Sequence, residues 1–367
     1  MNGNIRKRGE KSWQLTWDVK VLGGKRKQRY LTVRGNKKDA QKKLREVLGS
    51  LDSGTYVDPS KRKTGEYLKS WLENRKHKLS PTTYDSYRAN IEAHLVPAFG
   101  EIRLQQLSWE TIEQYVEERS DRLSGQTLSH HMRLLSRALK DAVKKGYVTR
   151  NVVELVDNTP KIKRKRIEAF DANNNQRLVD LFDGKMKTIV ALALTTGMRR
   201  GEITGLKWDA VGDGVLEIKR ALTQTREGLI LRDEPKTEES FRKITLTKVM
   251  MKALLRHRAS QAQEKLVAGN SYRDEGYVFA SYDGQPIKPA QVTHMFSEKV
   301  KGTEFHLTFH GLRHCHVSQL IAANVNIKTI QKRVGHSNIK TTLDTYGHLL
   351  PGMDEAAAEA IEGTISL

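Results

Sequence analysis

A chain of 367 residues is long enough for two or three domains with cores of their own, and a hydrophobic content of 37% that includes tryptophan, tyrosine and phenylalanine excludes a wholly disordered protein. Sixty-four Lys and Arg against 43 Asp and Glu leave a formal charge of +21, which points to a polyanionic partner. The single cysteine, Cys315, excludes an intramolecular disulfide and a multi-cysteine metal site, no apolar run approaches the ~18–20 residues of a membrane span, and the start Met1-Asn2-Gly3-Asn4-Ile5-Arg6-Lys7-Arg8 lacks the apolar centre of a signal peptide, so a cytoplasmic protein with no membrane partner is expected.

Through Lys63 the chain holds 18 Lys and Arg against 6 Asp and Glu, so about a sixth of its length carries +12 of the +21. Trp13, Leu15, Trp17, Val19 and Val21 alternate with polar residues at the period of a half-buried strand. Gly23-Gly24 signals a hairpin, and Lys25 to Val33 supplies the return strand. Asn36-Lys37-Lys38-Asp39 opens a helix with Leu44, Val47, Leu48 and Leu51 at helical spacing, ended by Ser53-Gly54. Lys25, Arg26, Lys27 and Arg29 would line the hairpin as DNA contacts.

From Thr64 the pattern turns helical. Thr64 to Glu73 carries Tyr67, Leu68, Trp71 and Leu72 on one face; Ser80-Pro81 starts a second helix with Tyr84, Tyr87, Ile91 and Leu95, stopped by Pro97 and Gly100; Ser108-Trp109-Glu110 begins a third; and Thr127 to Lys145 forms a fourth, ended by Gly146. The aromatic residues are assigned to packing, whereas Arg88, Arg133 and Arg137 are candidate phosphate contacts. Pro160-Lys161-Ile162-Lys163-Arg164-Lys165-Arg166 has five cations in seven residues and reads as a linker along DNA, through Lys161, Lys163, Arg164, Lys165 and Arg166.

In the last two hundred residues a buried helix containing Met186, Ile189, Val190, Ala193 and Leu194 ends at Thr195-Thr196-Gly197, and Met198-Arg199-Arg200-Gly201-Glu202 opens the next. Glu202 could hold a neighbouring arginine by a charge-assisted hydrogen bond, and Arg200 is expected at the surface. Val215 to Lys219, Leu229 to Leu231 and Phe241 to Leu246 read as short strands, with Lys236 in the turn before the last of them. The stretch Thr308-Phe309-His310-Gly311-Leu312-Arg313-His314, followed by Val334-Gly335-His336-Ser337 and Asp344-Thr345-Tyr346-Gly347-His348, gathers cationic donors and a tyrosine hydroxyl with no acidic cluster, which suits chemistry on a phosphate. His306, His310 and His314 stand at i, i+4 and i+8, but the stretch has no carboxylate, so no metal site is expected.

Four motifs in order, Thr196-Gly197-Met198-Arg199-Arg200-Gly201-Glu202, Pro235-Lys236-Thr237, His310-Gly311-Leu312-Arg313-His314, and Val334-Gly335-His336-Ser337 with Tyr346, resemble the catalytic domain of tyrosine recombinases, the integrase family. Residues 64–160 resemble the SAM-like core-binding domain of that family. The strand Ser12-Trp13-Gln14-Leu15, the basic hairpin and the exit Gly54-Thr55-Tyr56-Val57-Asp58-Pro59 resemble its AP2-like arm-binding domain.

The resemblance implies a multidomain α+β chain: a small three-stranded sheet plus helix at 1–58, a four-helix domain at 64–160, a basic linker at 161–168, and a mainly helical catalytic domain with a small antiparallel sheet at 169–367. It implies a site-specific recombinase that integrates and excises a phage or conjugative element. Tyr346 would attack the phosphate and form a 3′-phosphotyrosine; Arg199 and Arg313 would stabilise charge on the phosphate; Lys236 would protonate the leaving oxygen; His310 and His336 would position the phosphate and share proton transfer; Glu202 would orient Arg199. No ATP, metal or other cofactor is required. The implied partners are double-stranded attachment sites of core and arm type, a homo-tetramer in synapsis, an excisionase and a host DNA-bending protein, all in the bacterial cytoplasm. Met353 to Glu362 reads as a helix that docks on a neighbouring protomer. A type IB topoisomerase, or a DNA-binding regulator on a recombinase scaffold, are the alternatives.

Overall fold

The structure, a computed structural model, describes residues 3–20, 26–53, 56–157, 173–233 and 241–347, with the backbone alone at Lys20, Arg26 and Thr341. The chain divides into two compact units, Met1–Arg164 and Lys165–Leu367.

The first unit opens with an antiparallel meander of β1 (Gly3–Gly9), β2 (Ser12–Lys20) and β3 (Arg26–Arg34). The alternation of β2 sets its inner face: Leu15, paired with Ile5 and Leu31, and Trp17 are buried against Ala40 and Leu44 of α1 (Lys37–Asp52). Asn36 caps α1 by accepting from the Asp39 amide, and the Asp39 carboxylate accepts from the Asn36 amide in return. β1 carries the polar run Asn4-Ile5-Arg6-Lys7-Arg8, which has no apolar alternation, so only pairing with β2 makes it a strand. Arg29 is bound in a fork by Asp58, whose Oδ1 also accepts from Tyr56 Oη at 3.0 Å, and this ties β3 to the outgoing chain.

Four helical rods follow. They are α2 (Thr64–Glu73), α3 (Pro81–Asn90) running on into α4 (Val96–Phe99), α5 (Trp109–Arg119) and α6 (Gly125–Lys144). The second rod passes through Pro97 rather than stopping at it. One π turn, Ile91–Leu95, absorbs the misfit, with the Val96 amide reaching back to Ile91 O, and the rod ends at Gly100. Tyr67, Leu68, Trp71, Ile91, Phe99, Ile112, Leu128 and Leu135 fill the core. Two polar tips reaching into it are satisfied: Tyr67 Oη donates to Ala138 O at 2.7 Å, and Trp71 Nε1 donates, with Arg75, to Asp141 Oδ2. Arg133, Arg137 and Lys140, spaced along α6, line one face cleft with Val153 and Val156.

In the second unit α7 (Asn174–Asp180) leads into α8 (Gly184–Thr196), whose Ile189, Val190 and Leu192 are fully buried. Around it pack α9 (Arg200–Thr204), the ladder of β4 (Val215–Ile218) with β7 (Arg242–Thr245), the hairpin of β5 (Ala221–Thr225) with β6 (Gly228–Arg232), α10 (Lys248–Ala268), α11 (Pro289–Val300) and α12 (Gly311–Ala322). The strand β5 is additional to the three that periodicity marks, because Gln224, Thr223 and Thr225 interrupt its apolar pattern. Then α13 (Ile327–Val334) and α14 (Ile339–Tyr346) close a second small core of Val317, Ile321, Ile330, Val334 and Tyr346.

Candidate active site

The site grows from two left-handed glycines at helix ends. Gly197 ends α8 at φ 66°, and Gly335 ends α13 at φ 67°. Both positions exclude a side chain twice over, since a Cβ at Gly197 would stand 2.6 Å from His316 Cδ2 and one at Gly335 would stand 2.9 Å from Arg242 Nη1. Each turn offers its carbonyl to an arginine from elsewhere. Arg313 Nη1 donates to Gly197 O at 2.8 Å, and Arg199 Nη2 donates to Gly335 O at 2.6 Å.

Arg199 stands at the start of α9 and is held on its other edge by Glu202, which accepts from Nη1 at 2.9 Å and from the Arg199 amide at 2.8 Å. Glu202 is itself buried and is gripped from behind by Arg242 of β7, through Nη1 at 3.1 Å and Nη2 at 2.8 Å. Burial alone would raise the Glu202 carboxyl, but the Arg242 fork and the Arg199 charge overcome that and hold it below the usual range. Arg242 Nε donates to Arg333 O at 2.7 Å, so one guanidinium joins the strand that follows residue 236 to the end of α13. Arg333 in turn donates from Nη2 to Thr195 O at 3.0 Å and from Nε to His316 Nε2 at 3.2 Å, while His316 Nδ1 donates to Leu194 O.

On α12, Arg313 is 3% exposed, and its Nη2 is buried with no hydrogen-bond partner among the described residues. Burial, then the nearby Arg199 charge, lowers its proton affinity to about 9, which leaves it charged at neutral pH. His310 lies at the helix start with part of its surface exposed, and partial desolvation, then the charges of Arg313, Arg199 and Arg200, lowers its pKa below the usual histidine value. His306 precedes the helix, so the i, i+4, i+8 spacing never becomes one helical face. His336 follows Gly335, has Thr342 Oγ1 2.8 Å from its Nδ1, and is pulled down to about 4 by burial and by Arg313 and Arg199. Tyr346 ends α14 and is 1% exposed, its hydroxyl 2.5 Å from His314 Nδ1; burial pushes it up to about 12 against the opposing pull of Arg313. A cleft of about 580 Å³ opens beside His336, lined by Arg242, Lys243, Lys328, Lys332 and Arg333.

The structure therefore brings together Arg199, Glu202, His310, Arg313, His336 and Tyr346 from four separate points of the chain, the start of α9, the start of α12, the turn after α13 and the end of α14. Lys236 lies outside the described residues, as do Lys25, the linker cations Lys161, Lys163, Arg164, Lys165 and Arg166, and the segment Met353 to Glu362. Arg200 is exposed and donates to Thr293 Oγ1. Of the other candidate DNA contacts, Lys27 is exposed, Arg29 is engaged by Asp58, Arg88 is half-buried over the Tyr84 ring, Arg133 donates to Ser129 O, and Arg137 donates to Tyr87 Oη at 2.9 Å. Sequence reasoning missed Arg242 and Arg333, and weighed His314 only as a metal ligand and a member of the motif around Arg313. A signal for Arg242 did exist: it shares the inward phase of β7 with the fully buried Ile244, and a cation there calls for a buried acid.

Comparison with known proteins decides the family. Residues 168–352, half of the chain, match the phage integrase family, and residues 64–119 match the family's N-terminal SAM-like domain. The chain belongs to the phage integrase family. A tyrosine recombinase XerC-like protein of Caldanaerobacter subterraneus subsp. tengcongensis is 26% identical over 89% of both chains, and the ICEBs1 integrase of Bacillus subtilis is 28% identical over 77% of this chain and 78% of its own. Among solved structures, the Tn1549 transposon integrase in complex with a circular intermediate DNA superposes with a TM-score of 0.65 at 20% identity, covering 81% of this chain and 99% of that one. A lambda integrase tetramer bound to a Holliday junction gives 0.57 at 17% identity, covering 91% and 96%. This integrase is a site-specific recombinase that cuts and rejoins DNA through a phosphotyrosine, of the kind that integrates and excises mobile elements; the topoisomerase and regulator readings are not favoured.

Arg313→Lys puts one point charge where a fork donates to Gly197 O from one nitrogen and keeps a second, buried nitrogen without a hydrogen-bond partner among the described residues. Strand cleavage is expected to fall by about 10²–10³-fold, the scale of losing one donor to a developing oxyanion, while DNA binding measured by gel shift stays near wild type.

Proposed function

We propose that Tyr346 attacks a scissile DNA phosphate held by Arg199 and Arg313, giving a 3′-phosphotyrosine and a free 5′-hydroxyl. The observation that carries this reading is the buried, charged Arg313, whose Nη2 has no partner among the described residues and which acts electrostatically on the buried Tyr346 hydroxyl. A buried donor without an acceptor costs about 1–3 kcal/mol, and a non-bridging phosphate oxygen is the acceptor that would relieve it. Arg199, fixed by Glu202 and Gly335 yet 40% exposed, presents a second guanidinium to the same anion. His310 and His336 donate to the phosphate oxygens, and Lys236 protonates the leaving 5′ oxygen.

On this reading residues 64–160 grip core-type sites, with Arg88, Arg133 and Arg137 toward phosphates, and the linker 161–168 follows the backbone of the duplex. Residues 169–367 are the catalytic domain. Residues 1–58, with Lys25, Arg26, Lys27 and Arg29, read arm-type sites; their concentrated positive charge supports this. Assembly as a homo-tetramer in synapsis is supported by the similar fold of the lambda integrase tetramer. An excisionase and a host DNA-bending protein complete the partners, and bacterial and phage relatives support action in the bacterial cytoplasm. No helix among the described residues is long and apolar enough to cross a membrane.

Trapping on nicked attachment-site DNA tests the reading: the adduct is expected at one defined position per strand, with a 5′-hydroxyl on the released end. Adducts scattered along any supercoiled plasmid would favour a topoisomerase instead. Deleting residues 1–58 is expected to reduce integration between arm-bearing sites at least tenfold while leaving cleavage of an isolated core site within about threefold. Equal loss in both assays would remove the separate arm function.

A further inference from the structure

Tyr346 begins the reaction as a phenol that its surroundings make a weaker acid than free tyrosine. Its ring lies 1% exposed among Val317, Ile321, Ile330 and Val334, and burial pushes the hydroxyl up to about 12. At pH 7 such a group is ionised to on the order of 10⁻⁵, so bonding to phosphorus needs a base in contact with the oxygen. The side chain in contact is His314, whose Nδ1 lies 2.5 Å from Tyr346 Oη.

His314 sits one residue beyond Arg313 and one helical turn beyond His310, whose ring meets its own edge to face at 5.1 Å. The titratable and charged groups facing it are His310 and Arg313 on α12, His336 after α13, and Tyr346 on α14. None is a carboxylate. Burial, then His310 and Arg313, pulls its own protonation down to about 4, so it stands neutral and, with its proton on Nε2, offers a lone pair at Nδ1.

We propose that His314 is a further catalytic residue, the imidazole that holds the Tyr346 hydroxyl and takes its proton as the oxygen bonds to phosphorus. This rests on the phosphotyrosine reading above. In cleavage the bond from Tyr346 Oη to phosphorus forms and the bond from phosphorus to the 5′ oxygen breaks. The phenolic proton passes to His314 Nδ1, and the leaving oxygen takes its proton from the general acid assigned to Lys236. In rejoining, the 5′-hydroxyl attacks and returns its proton to that acid, the phosphotyrosine bond breaks, and the proton on Nδ1 returns to Tyr346.

The test uses the full-length protein and attachment-site DNA with sulfur as the bridging 5′ atom, whose departure needs no proton. Wild-type adduct formation is expected to be nearly flat from pH 6 to 9, because the base is already neutral throughout. His314→Gln keeps a hydrogen-bonding side chain of similar reach without a base, and is expected to be about 10²–10³-fold slower at pH 7. Its rate should climb about tenfold per pH unit as tyrosinate accumulates, and added imidazole should partly restore His314→Ala. Binding of the same DNA serves as the folding control. A His314→Gln rate within about threefold of wild type, with the same pH profile, would overturn the assignment. So would a wild-type rate that itself climbs tenfold per pH unit, a result that requires no variant. A wild-type protein that forms no adduct at Tyr346 at all would instead overturn the reading on which the assignment rests.

Discussion

Replacing Tyr346 by phenylalanine is expected to abolish covalent protein–DNA adducts, a loss on the order of 10⁶-fold in strand cleavage, because the proposed mechanism takes its attacking oxygen from this hydroxyl. The substitution is nearly isosteric. The ring stays packed among Val317, Ile321, Ile330 and Val334, and only the hydroxyl that meets His314 is removed. The expected stability cost is about 1 kcal/mol, the worth of one hydrogen bond with its remaining partner half-buried. Specific DNA binding should therefore persist, and denaturing gels of nicked substrate should show bound but uncleaved DNA. An adduct of undiminished yield would refute Tyr346 as the nucleophile and move the search to another hydroxyl.

Arg242→Ala is expected to damage stability and catalysis together. Its guanidinium and the Glu202 carboxylate are 6% and 5% exposed, so truncation strands a buried charge with Arg199 as its remaining partner, at a cost of about 3–5 kcal/mol. It also frees the Arg333 carbonyl at the turn that carries Gly335 and His336. With Glu202 no longer anchored from behind, Arg199 loses its fixed edge. Cleavage should drop at least tenfold even at temperatures where the protein remains folded. Replacing both Arg242 and Glu202 by leucine should recover part of the melting temperature but none of the activity, since Arg199 depends on Glu202; recovery of both would reduce the pair to packing.

The same pair sets an acid limit. Glu202 has a folded-state pKa below its unfolded value near 4.5, so its contribution is fully present above that pH and is lost as pH falls through the folded value. The melting temperature of the wild type should fall more steeply below pH 4.5 than that of Arg242→Ala, which has already lost the depressing charge.

Much of this was written locally in the sequence. Alternation places Leu15 and Trp17 inward, Ser80-Pro81 and Ser108 begin helices, and glycines at 197 and 335 end them, because each signal depends on neighbours within one or two turns. Pro97 misled because the π turn at Ile91–Leu95 just before it cannot be read from a proline alone, and β5 was hidden because pairing with β6, rather than apolar alternation, makes it a strand.

The motif order around Arg199, Arg313, His336 and Tyr346 was enough to name the chemistry, since the residue types that stabilise and attack a phosphate are few. The partners of those groups were not legible. Arg199 meets Gly335 across 136 residues and Glu202 meets Arg242 across 40. Sequence periodicity reports which way a side chain faces on its own element, but not which distant turn closes against it. The sequence by itself determined most of the helices, the alternating strand β2 and, through its ordered motifs, the class of reaction. Only the tertiary structure decided that Arg242 holds the acid, that one Arg313 nitrogen is buried without a partner among the described residues, and that the Tyr346 hydroxyl rests on His314, because each depends on packing between elements far apart in the chain.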